Sequence, residues 1–299
     1  MQQQESQIAI VTATIGRNTL TRTMQSIREQ TVPCRHYIIV DGNQGAEAVK
    51  EMVKAFPEVI VIYLPINTGA NGVKNSMINA MAPFLVKEKI ICYIDDDNWI
   101  DPKYAECFLN AFEHYPNAQY AYHLRYMVDD KGQILCEDNV ESLGFWFVYQ
   151  TKVEVKLKLR SGKYIHSPLD INFHHQGLID TNCYAIRTEL ARQLAHTWTG
   201  NNGLDNDKGV SQYLFDNHVQ GICTGKRMVY YRADVEKFFN TNKYEIETVL
   251  NQSLTDDEYY QIKLQALISS NEYVKQMFYQ EGKQMPWLTM SCNDAENNG

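Results

Sequence analysis

Ile90-Ile91-Cys92-Tyr93-Ile94-Asp95-Asp96-Asp97-Asn98 is the stretch on which the fold turns. Five apolar residues in a row are short for a helix and read as a strand buried on both faces. A single step then takes the chain from apolar side chains to three carboxylates and an amide. Strands covered on both faces belong to parallel sheets flanked by helices, and such sheets bind ligands beyond the carboxyl ends of their strands. The polar tail of this strand is therefore a candidate site. In extended chain residues i and i+2 face the same way, so Asp95 and Asp97 are expected to point together and Asp96 away.

The same pattern continues on either side. Gln7–Ala13, His36–Val40 and Glu58–Leu64 read as three earlier strands. Asn18–Gln30 carries Leu20, Met24 and Ile27 on one helical face, and Ala46–Phe56 reads as a second helix. Val73, Met77, Ile78 and Met81 form the stripe of a third helix, and Pro102–Phe112 is a fourth, with Tyr104, Phe108 and Phe112 on one side. This alternation predicts an α/β fold with a mostly parallel sheet flanked by helices.

Beyond residue 112 the alternation fails. Gln119–Val128 and Gln133–Leu135 read as a hairpin around Asp129-Asp130-Lys131-Gly132. Arg160–Gly177 is polar, His-rich and weakly periodic, and is expected to be a mobile loop. Leu178–Ile186 is a further candidate strand, and Val210–Phe215 lies on a helix. From about residue 235 the chain reads as polar helix. Thr255 to Glu258 and Ser269 to Glu272 both have the spacing of a capping box, and each is expected to open a short helix. The polar end, Ser291–Gly299, is expected to fray.

Composition narrows the function classes. In 299 residues there are 28 Lys and Arg against 36 Asp and Glu, a net charge of −8, which argues against a nucleic-acid binder with a basic face. Apolar runs such as Ile8–Val11 and Val59–Leu64 fall far short of the ~18 residues of a membrane span. Met1–Glu5 has neither a basic start nor an apolar run, so no secretory signal is expected. The seven cysteines are odd in number, widely spaced and without a C-x-x-C pair, which indicates neither a disulfide framework nor a zinc site. A soluble, cytoplasmic protein is expected.

The strand ends carry the chemistry. After the first strand come Thr12, Thr14, Gly16 and Arg17, and after the second Asp41, Gly42 and Asn43. The third is followed by Asn67, Gly69, Asn71 and Gly72. A dinucleotide site needs G-x-G-x-x-G after the first strand, where this chain has Gly16 alone, and no G-K-[ST] triplet marks a P-loop. Two carboxylates aimed into a crevice suit a hard divalent cation. Mg²⁺ takes one or two protein carboxylates and completes its shell with phosphate oxygens and water, which makes sense if the ligand is a nucleoside diphosphate. The competing reading is a solvated acidic turn before the helix near Pro102. A D-x-D triplet is weak evidence alone, but here three neighbouring strand ends are polar as well.

In these stretches the chain resembles the family 2 glycosyltransferases, over roughly residues 7–112 and more thinly to about 234. Ser26-Ile27-Arg28-Glu29-Gln30-Thr31 is similar to the family's S-I-x-x-Q-T, and Tyr37-Ile38-Ile39-Val40-Asp41-Gly42 to its E-I-I-V-V-D block. Asn67-Thr68-Gly69 with Lys74-Asn75 has the spacing of N-x-G…R-N, with Lys in place of Arg. Tyr93 to Asn98, followed by Pro102, matches the D-x-D segment. The resemblance implies the A-type nucleotide-sugar transferase fold. It implies a catalytic domain over 1–234, with a nucleotide-binding half (1–112) and an acceptor half (113–234), leaving 235–299 as a helical C-terminal extension. It also implies that Asp41 holds the base and Asp97 the metal. Thr12, Thr14, Arg17, Asn43, Asn71, Lys74, Asp95 and Asp96 are the further nucleotide-binding candidates. Asp95 is a second metal-ligand candidate, and Asp234, two residues after Tyr231-Arg232, a possible third. Two loops depart from the family: Ala13-Thr14-Ile15-Gly16-Arg17 stands for P-x-Y-N, and Gly42 follows Asp41 where a second acid is usual. Both departures bear on base and sugar selectivity.

Transfer with inversion needs a carboxylate to take the acceptor's proton. The family supplies it in a pattern like E-D-x-x-L-x-x-R-L. Asn206-Asp207-Lys208-Gly209-Val210-Ser211-Gln212-Tyr213-Leu214 fits, with Asp207 as the base and Asp205 as the alternative. An Asp in that place is also an ordinary helix N-cap. His174-His175 is a weaker metal candidate, and Phe145-Trp146-Phe147 a weaker sugar-stacking one. The function implied is metal-dependent (Mn²⁺ or Mg²⁺) transfer of a sugar from a UDP- or GDP-linked donor to a hydroxyl acceptor, such as a glycan, lipid or protein. Peripheral contact with the inner face of a membrane is compatible with it. The alternatives are a nucleotidyltransferase, against which Thr12–Arg17 lacks a glycine-rich basic loop, and a catalytically silent nucleotide or sugar binder.

Overall fold

The computed structural model describes residues 6–72, 74–144, 150–158, 162, 164–172, 178–203, 206–235 and 243–280. Four parallel strands, β1 (Ile8–Thr14), β2 (Cys34–Val40), β3 (Ile60–Tyr63) and β4 (Ile90–Tyr93), lie in the order β3-β2-β1-β4. Helices α1 (Leu20–Arg28), α2 (Ala46–Val53) and α3 (Ser76–Met81) connect them. Ile8, Ala9 and Ile10 are consecutive and fully buried, as are Ile91 and Cys92. Successive strand residues face opposite sides, so both faces of this half-sheet are covered. Leu20, Met24 and Ile27 form the buried stripe of α1.

Past β4 the chain builds the second half of one mixed sheet. The short β5 (Trp99–Ile100) and helix α4 (Tyr104–His114) lead into β6 (Tyr120–Val128) and β7 (Ile134–Glu137). β6 and β7 are antiparallel around the expected 129–132 turn, where Gly132 has φ +87° and its N–H reaches the Asp129 carbonyl at 2.9 Å. Then come β8 (Gln150–Lys158), β9 (Tyr164–Asn172), β10 (Tyr184–Arg187), α5 (Thr188–Gln193), α6 (Asn206–Asp216) and β11 (Gly221–Arg232). The sheet continues β4-β10-β6-β11-β5, with β7 on β6, and β10 runs antiparallel to both its neighbours. Helices α7 (Lys243–Leu250) and α8 (Asp256–Gln280) follow. Among the described residues no helix is long and apolar enough to cross a membrane.

Three expectations are corrected. The described part of the supposed loop 160–177 contains β9, paired antiparallel with β8 from Gln150↔Asn172 to Lys158↔Tyr164. A two-stranded ribbon draws its order from cross-strand hydrogen bonds and needs no continuous apolar run. Leu178–Ile186 is not one strand, since a 3-10 turn at Thr181–Cys183 precedes β10. Ser269–Glu272 opens no helix, because it lies inside the 25-residue α8. The Thr255 box does form: Thr255 N–H donates to Glu258 Oε2 at 2.9 Å and Glu258 N–H to Thr255 Oγ1 at 3.2 Å. α8 closes on the sheet through Leu267, which packs with Met127, Cys136 and Val235, and through Asn271 Oδ1, which accepts from Asn139 N–H at 2.7 Å.

Behind the carboxyl-end cleft lies a buried ion cluster. Arg125 of β6 is 2% exposed and meets Asp138 through Nε at 2.7 Å, Asp180 at 2.6 Å and Glu141 at 2.7 Å through its two terminal nitrogens. Asp138 also accepts the N–H groups of Val140, Glu141 and Ser142. The Tyr231 ring centroid lies 4.0 Å from the guanidinium carbon, within cation–π range. Removing one partner of a buried ionic group leaves charge uncompensated. Arg125→Met should therefore destabilise the fold by about 3–5 kcal/mol. Urea unfolding at neutral pH measures this, and a loss well under 1 kcal/mol would show that the carboxylates simply neutralise.

Candidate active site

A cleft of about 740 Å³ opens at the carboxyl ends of β1, β2 and β4. The start of α6, the end of β11 and Tyr260 of α8 line it as well. On the β1 side, Thr14 Oγ1 donates to Asp96 Oδ2 at 2.6 Å and accepts the Gly16 N–H at 2.9 Å. Gly16 has φ +90°, and a Cβ there would stand 2.8 Å from the Gly45 backbone, so only glycine fits. Arg17 bridges the acidic triplet, its terminal nitrogen 3.1 Å from Asp96 Oδ1 and 3.0 Å from Asp97 Oδ2.

The alternation expected for the triplet does not hold. Residues 95–98 form a turn, with Asn98 N–H on the Asp95 carbonyl at 3.2 Å, and strand geometry ends at Tyr93. Asp96 is consequently drawn in rather than turned away, and all three carboxylates border the cleft. Asp95 is held by side-chain amides, Asn75 Nδ2 at 2.7 Å and Asn182 Nδ2 at 2.9 Å. Burial first, then the negative charges of Asp180 and Asp97, push its carboxyl up to about 8. Asp41 ties down the 67–69 loop: Oδ1 accepts from Thr68 N–H at 2.6 Å and Oδ2 from Gly69 N–H at 2.9 Å.

Across the cleft, Asp207 sits in the first turn of α6. Its Oδ1 accepts from the Thr181 hydroxyl, and its N–H reaches Asn206 Oδ1 at 2.9 Å. Asn206 Nδ2 in turn bonds Ser76 Oγ at 3.0 Å, which docks α6 on α3. Burial, then the charge of Asp180, raises the Asp207 carboxyl to about 7, against the opposing pull of hydrogen bonds from the Thr181 hydroxyl and backbone N–H. A carboxylate poised near neutrality suits proton transfer at physiological pH. Arg232, from the end of β11, lies 3.6 Å from Asp97 Oδ2 and 2.5 Å from Asp130 Oδ1.

Thr14, Arg17, Asp41, Lys74, Asp95, Asp96, Asp97, Asp207 and Asp234 all line this cleft. Thr12 does not: it is fully buried and bonded to His36 Nε2 at 3.0 Å, because its strand position turns it into the sheet's packing. Asn43 lies outside the lining, with Nδ2 on the Pro65 carbonyl at 3.3 Å. The Asn71 side chain, Asp205, His174, His175 and Phe145-Trp146-Phe147 lie outside the described residues. Sequence reading passed over Asp180-Thr181-Asn182. Its only signal was three polar residues in an otherwise apolar run, which merged into the strand expected over 178–186.

Among the described residues no group of three or more His, Cys, Asp or Glu is placed to hold a metal unaided. The donors that border the cleft are all hard oxygens, and Asp97, at 22% side-chain exposure, is far more open than Asp96 at 5%. Such a set fits a cation that takes one or two carboxylates and fills its remaining positions with phosphate and water. Asp97, with Asp95 beside it, would hold it.

Residues 8–163, just over half of the chain, match the family model of glycosyl transferase family 2. An uncharacterized protein of Haemophilus influenzae (strain ATCC 51907 / DSM 11121 / KW20 / Rd) is 36% identical over 74 residues, covering 24% of this chain and 49% of that protein. The match thus spans about half the length of this curated relative. S. aureus TarS 1–349 in complex with UDP aligns with a TM-score of 0.50 at 14% identity, over 91% of this chain and 72% of that one. Mannosyltransferase PcManGT from Pyrobaculum calidifontis, in complex with GDP-Man and Mn²⁺, aligns with a TM-score of 0.50 at 8% identity, over 99% and 81%. At these identities the two structures speak for the fold, a mixed α/β sheet flanked by helices.

The raised Asp207 carboxyl has a consequence for stability. An acid whose folded value lies above its unfolded value takes up protons on folding, so its contribution weakens as pH rises. Asp207→Asn, which cannot ionise, should gain stability relative to the unaltered chain as pH rises from about 4 to about 7, the gain levelling off above. Urea unfolding across pH 4–8 checks this. A gap that stays constant with pH would show that Asp207 titrates normally.

Proposed function

The chain belongs to glycosyl transferase family 2, and from that premise we propose that it is a metal-assisted, inverting sugar transferase using a UDP- or GDP-linked donor and a hydroxyl acceptor. The single observation that carries the reading is the facing pair of acidic groups in one cleft. Asp95, Asp96 and Asp97 stand at the end of β4, and Asp207, poised near neutrality, stands at the start of α6. TarS was solved with UDP and PcManGT with GDP-Man and Mn²⁺, which makes these the nucleotides to test first.

In this reading Arg17 and Lys74 bring positive charge to the donor diphosphate, while Asp41 and the 67–69 loop it anchors receive the nucleoside. Asp97 and Asp95 would hold the cation, which would neutralise charge on the leaving diphosphate. Asp207 accepts the acceptor hydroxyl's proton as that oxygen bonds to the anomeric carbon. The bond from that carbon to the diphosphate oxygen breaks on the opposite face, and its electron pair leaves with the diphosphate. Asp207 must be ionised to act, so turnover should rise with pH through about 7.

A panel of UDP- and GDP-sugars, with and without Mn²⁺ or Mg²⁺, followed by release of free nucleotide, tests the assignment. Release that depends on the cation is expected. Asp207→Asn should lower it by roughly two to four orders of magnitude, since Asn keeps the shape but takes no proton. Nucleotide binding by calorimetry should survive that change, whereas Asp97→Ala should lose the cation-dependent part of it. Full turnover by Asp207→Asn would move the base to another residue.

A further inference from the structure

Three successive residues just before β10 each fasten a different part of the cleft. Asp180 is anchored behind it, with Oδ2 on Arg125 at 2.6 Å. Its other oxygen accepts from Asn182 N–H at 2.9 Å and Asn182 Nδ2 at 2.7 Å, which closes the turn on itself. Asn182 reaches the donor side, donating to Asp95 Oδ2 at 2.9 Å and accepting the Asp95 N–H at 2.7 Å. Thr181 stands between these two anchored neighbours, 4% exposed, with its hydroxyl on Asp207 Oδ1. None of this was visible as a motif, and the turn lies outside the family-matched residues.

We propose that Thr181 is a positioning residue for Asp207: its hydroxyl holds one carboxylate oxygen, leaving the other to take the acceptor's proton. The proposal rests on the reading of Asp207 as the base. A carboxylate at a helix start is free to rotate about its terminal torsion, which is broad and roughly two-fold. Thr181 faces the carboxylate with its backbone N–H as well as its hydroxyl, and these donors fix the torsion only if they cannot follow it; the Arg125 and Asp95 anchors on either side hold Thr181 in place. Asp207 is otherwise faced by charges of its own sign, Asp180 from the turn and Asp95 from the end of β4, with Arg125 on β6 set against them. The Tyr184 phenol on β10 is its neighbour too, and Lys208, next in the chain, is exposed. The Thr181 hydroxyl thus stabilises the ionised form where the nearby carboxylates oppose it.

The test uses the full chain labelled with ¹³C-carboxyl aspartate, the Asp207 signal being the one that Asp207→Asn removes. In Thr181→Val, which keeps the shape and loses the donor, Asp207 should titrate at higher pH. Thr181→Ser should return it to its original value. With the donor that gives fastest nucleotide release, Thr181→Val should lower kcat about ten- to a hundredfold, as loss of an orienting partner does, and leave the donor KM within about twofold. Thr181→Ala takes the place of Thr181→Val should the latter not fold. Unchanged titration of Asp207 in the hydroxyl-less variant overturns the proposal, as does a Ser variant as impaired as the Val one. Full turnover by Asp207→Asn overturns the base assignment and the positioning role with it. A dead Asp207→Asn beside a fully active Thr181→Val overturns the positioning role alone.

Discussion

Arg125 is a guanidinium removed from water and surrounded by three carboxylates, Asp138, Glu141 and Asp180. Taking such charges out of water costs several kcal/mol per ion, which only short, well-aimed contacts offset. The cluster therefore fixes geometry more than it adds stability. Its three partners come from the segment after β7 and from the turn before β10, so one side chain of β6 locks both against the central sheet. Arg125 itself stays charged. Burial alone would lower its pKa, but Asp180, Asp138 and Glu141 raise it well above the ordinary value. Glu141, pushed up to about 7 by burial despite its contact with Arg125, marks the excess of negative charge around one cation.

That excess continues into the cleft. Asp95 and Asp207 are both held above the ordinary carboxylate range, with burial as the first cause and Asp180 as the next in each case. The cations that meet the triplet come from distant stretches, Arg17 after β1 and Arg232 at the end of β11, and both converge on Asp97. A cleft with more carboxylates than cations favours positive charge entering with a ligand. It also lowers the stability of the free protein wherever those acids ionise, a common arrangement at functional sites.

The two halves of the cleft differ in how they are built. The β1–β4 side is made by loops that follow parallel strands, so each strand end contributes its own short polar cluster and the sheet brings these clusters together. The opposite side is assembled from a turn at 180–182, a helix start at 206–207, a strand end at 231–232 and Tyr260 of α8. Long-range contacts hold it: Asn206 to Ser76, Asn182 to Asp95, Asn139 to Asn271. A disturbance in β6 or α8 can therefore reach the site without touching a lining residue.

The sequence by itself determined the β1–β4 half-sheet, its helices and the acidic edge after β4. Buried parallel strands are continuous apolar runs, and the polar residues that end them mark where the runs stop. Hairpin β6–β7 and the Thr255 cap were legible for the same local reason, since turn and capping chemistry act over three or four residues. Tertiary structure alone decided that Asp96 turns inward, because a turn at 95–98 replaces strand alternation. It alone showed that Thr12 packs against His36, and that β9 forms by pairing with β8. It also decided the Asp180-Thr181-Asn182 turn. Each of those side chains takes its role from a partner far away in the chain, Arg125, Asp207 or Asp95, and periodicity within one segment carries no record of a partner outside it.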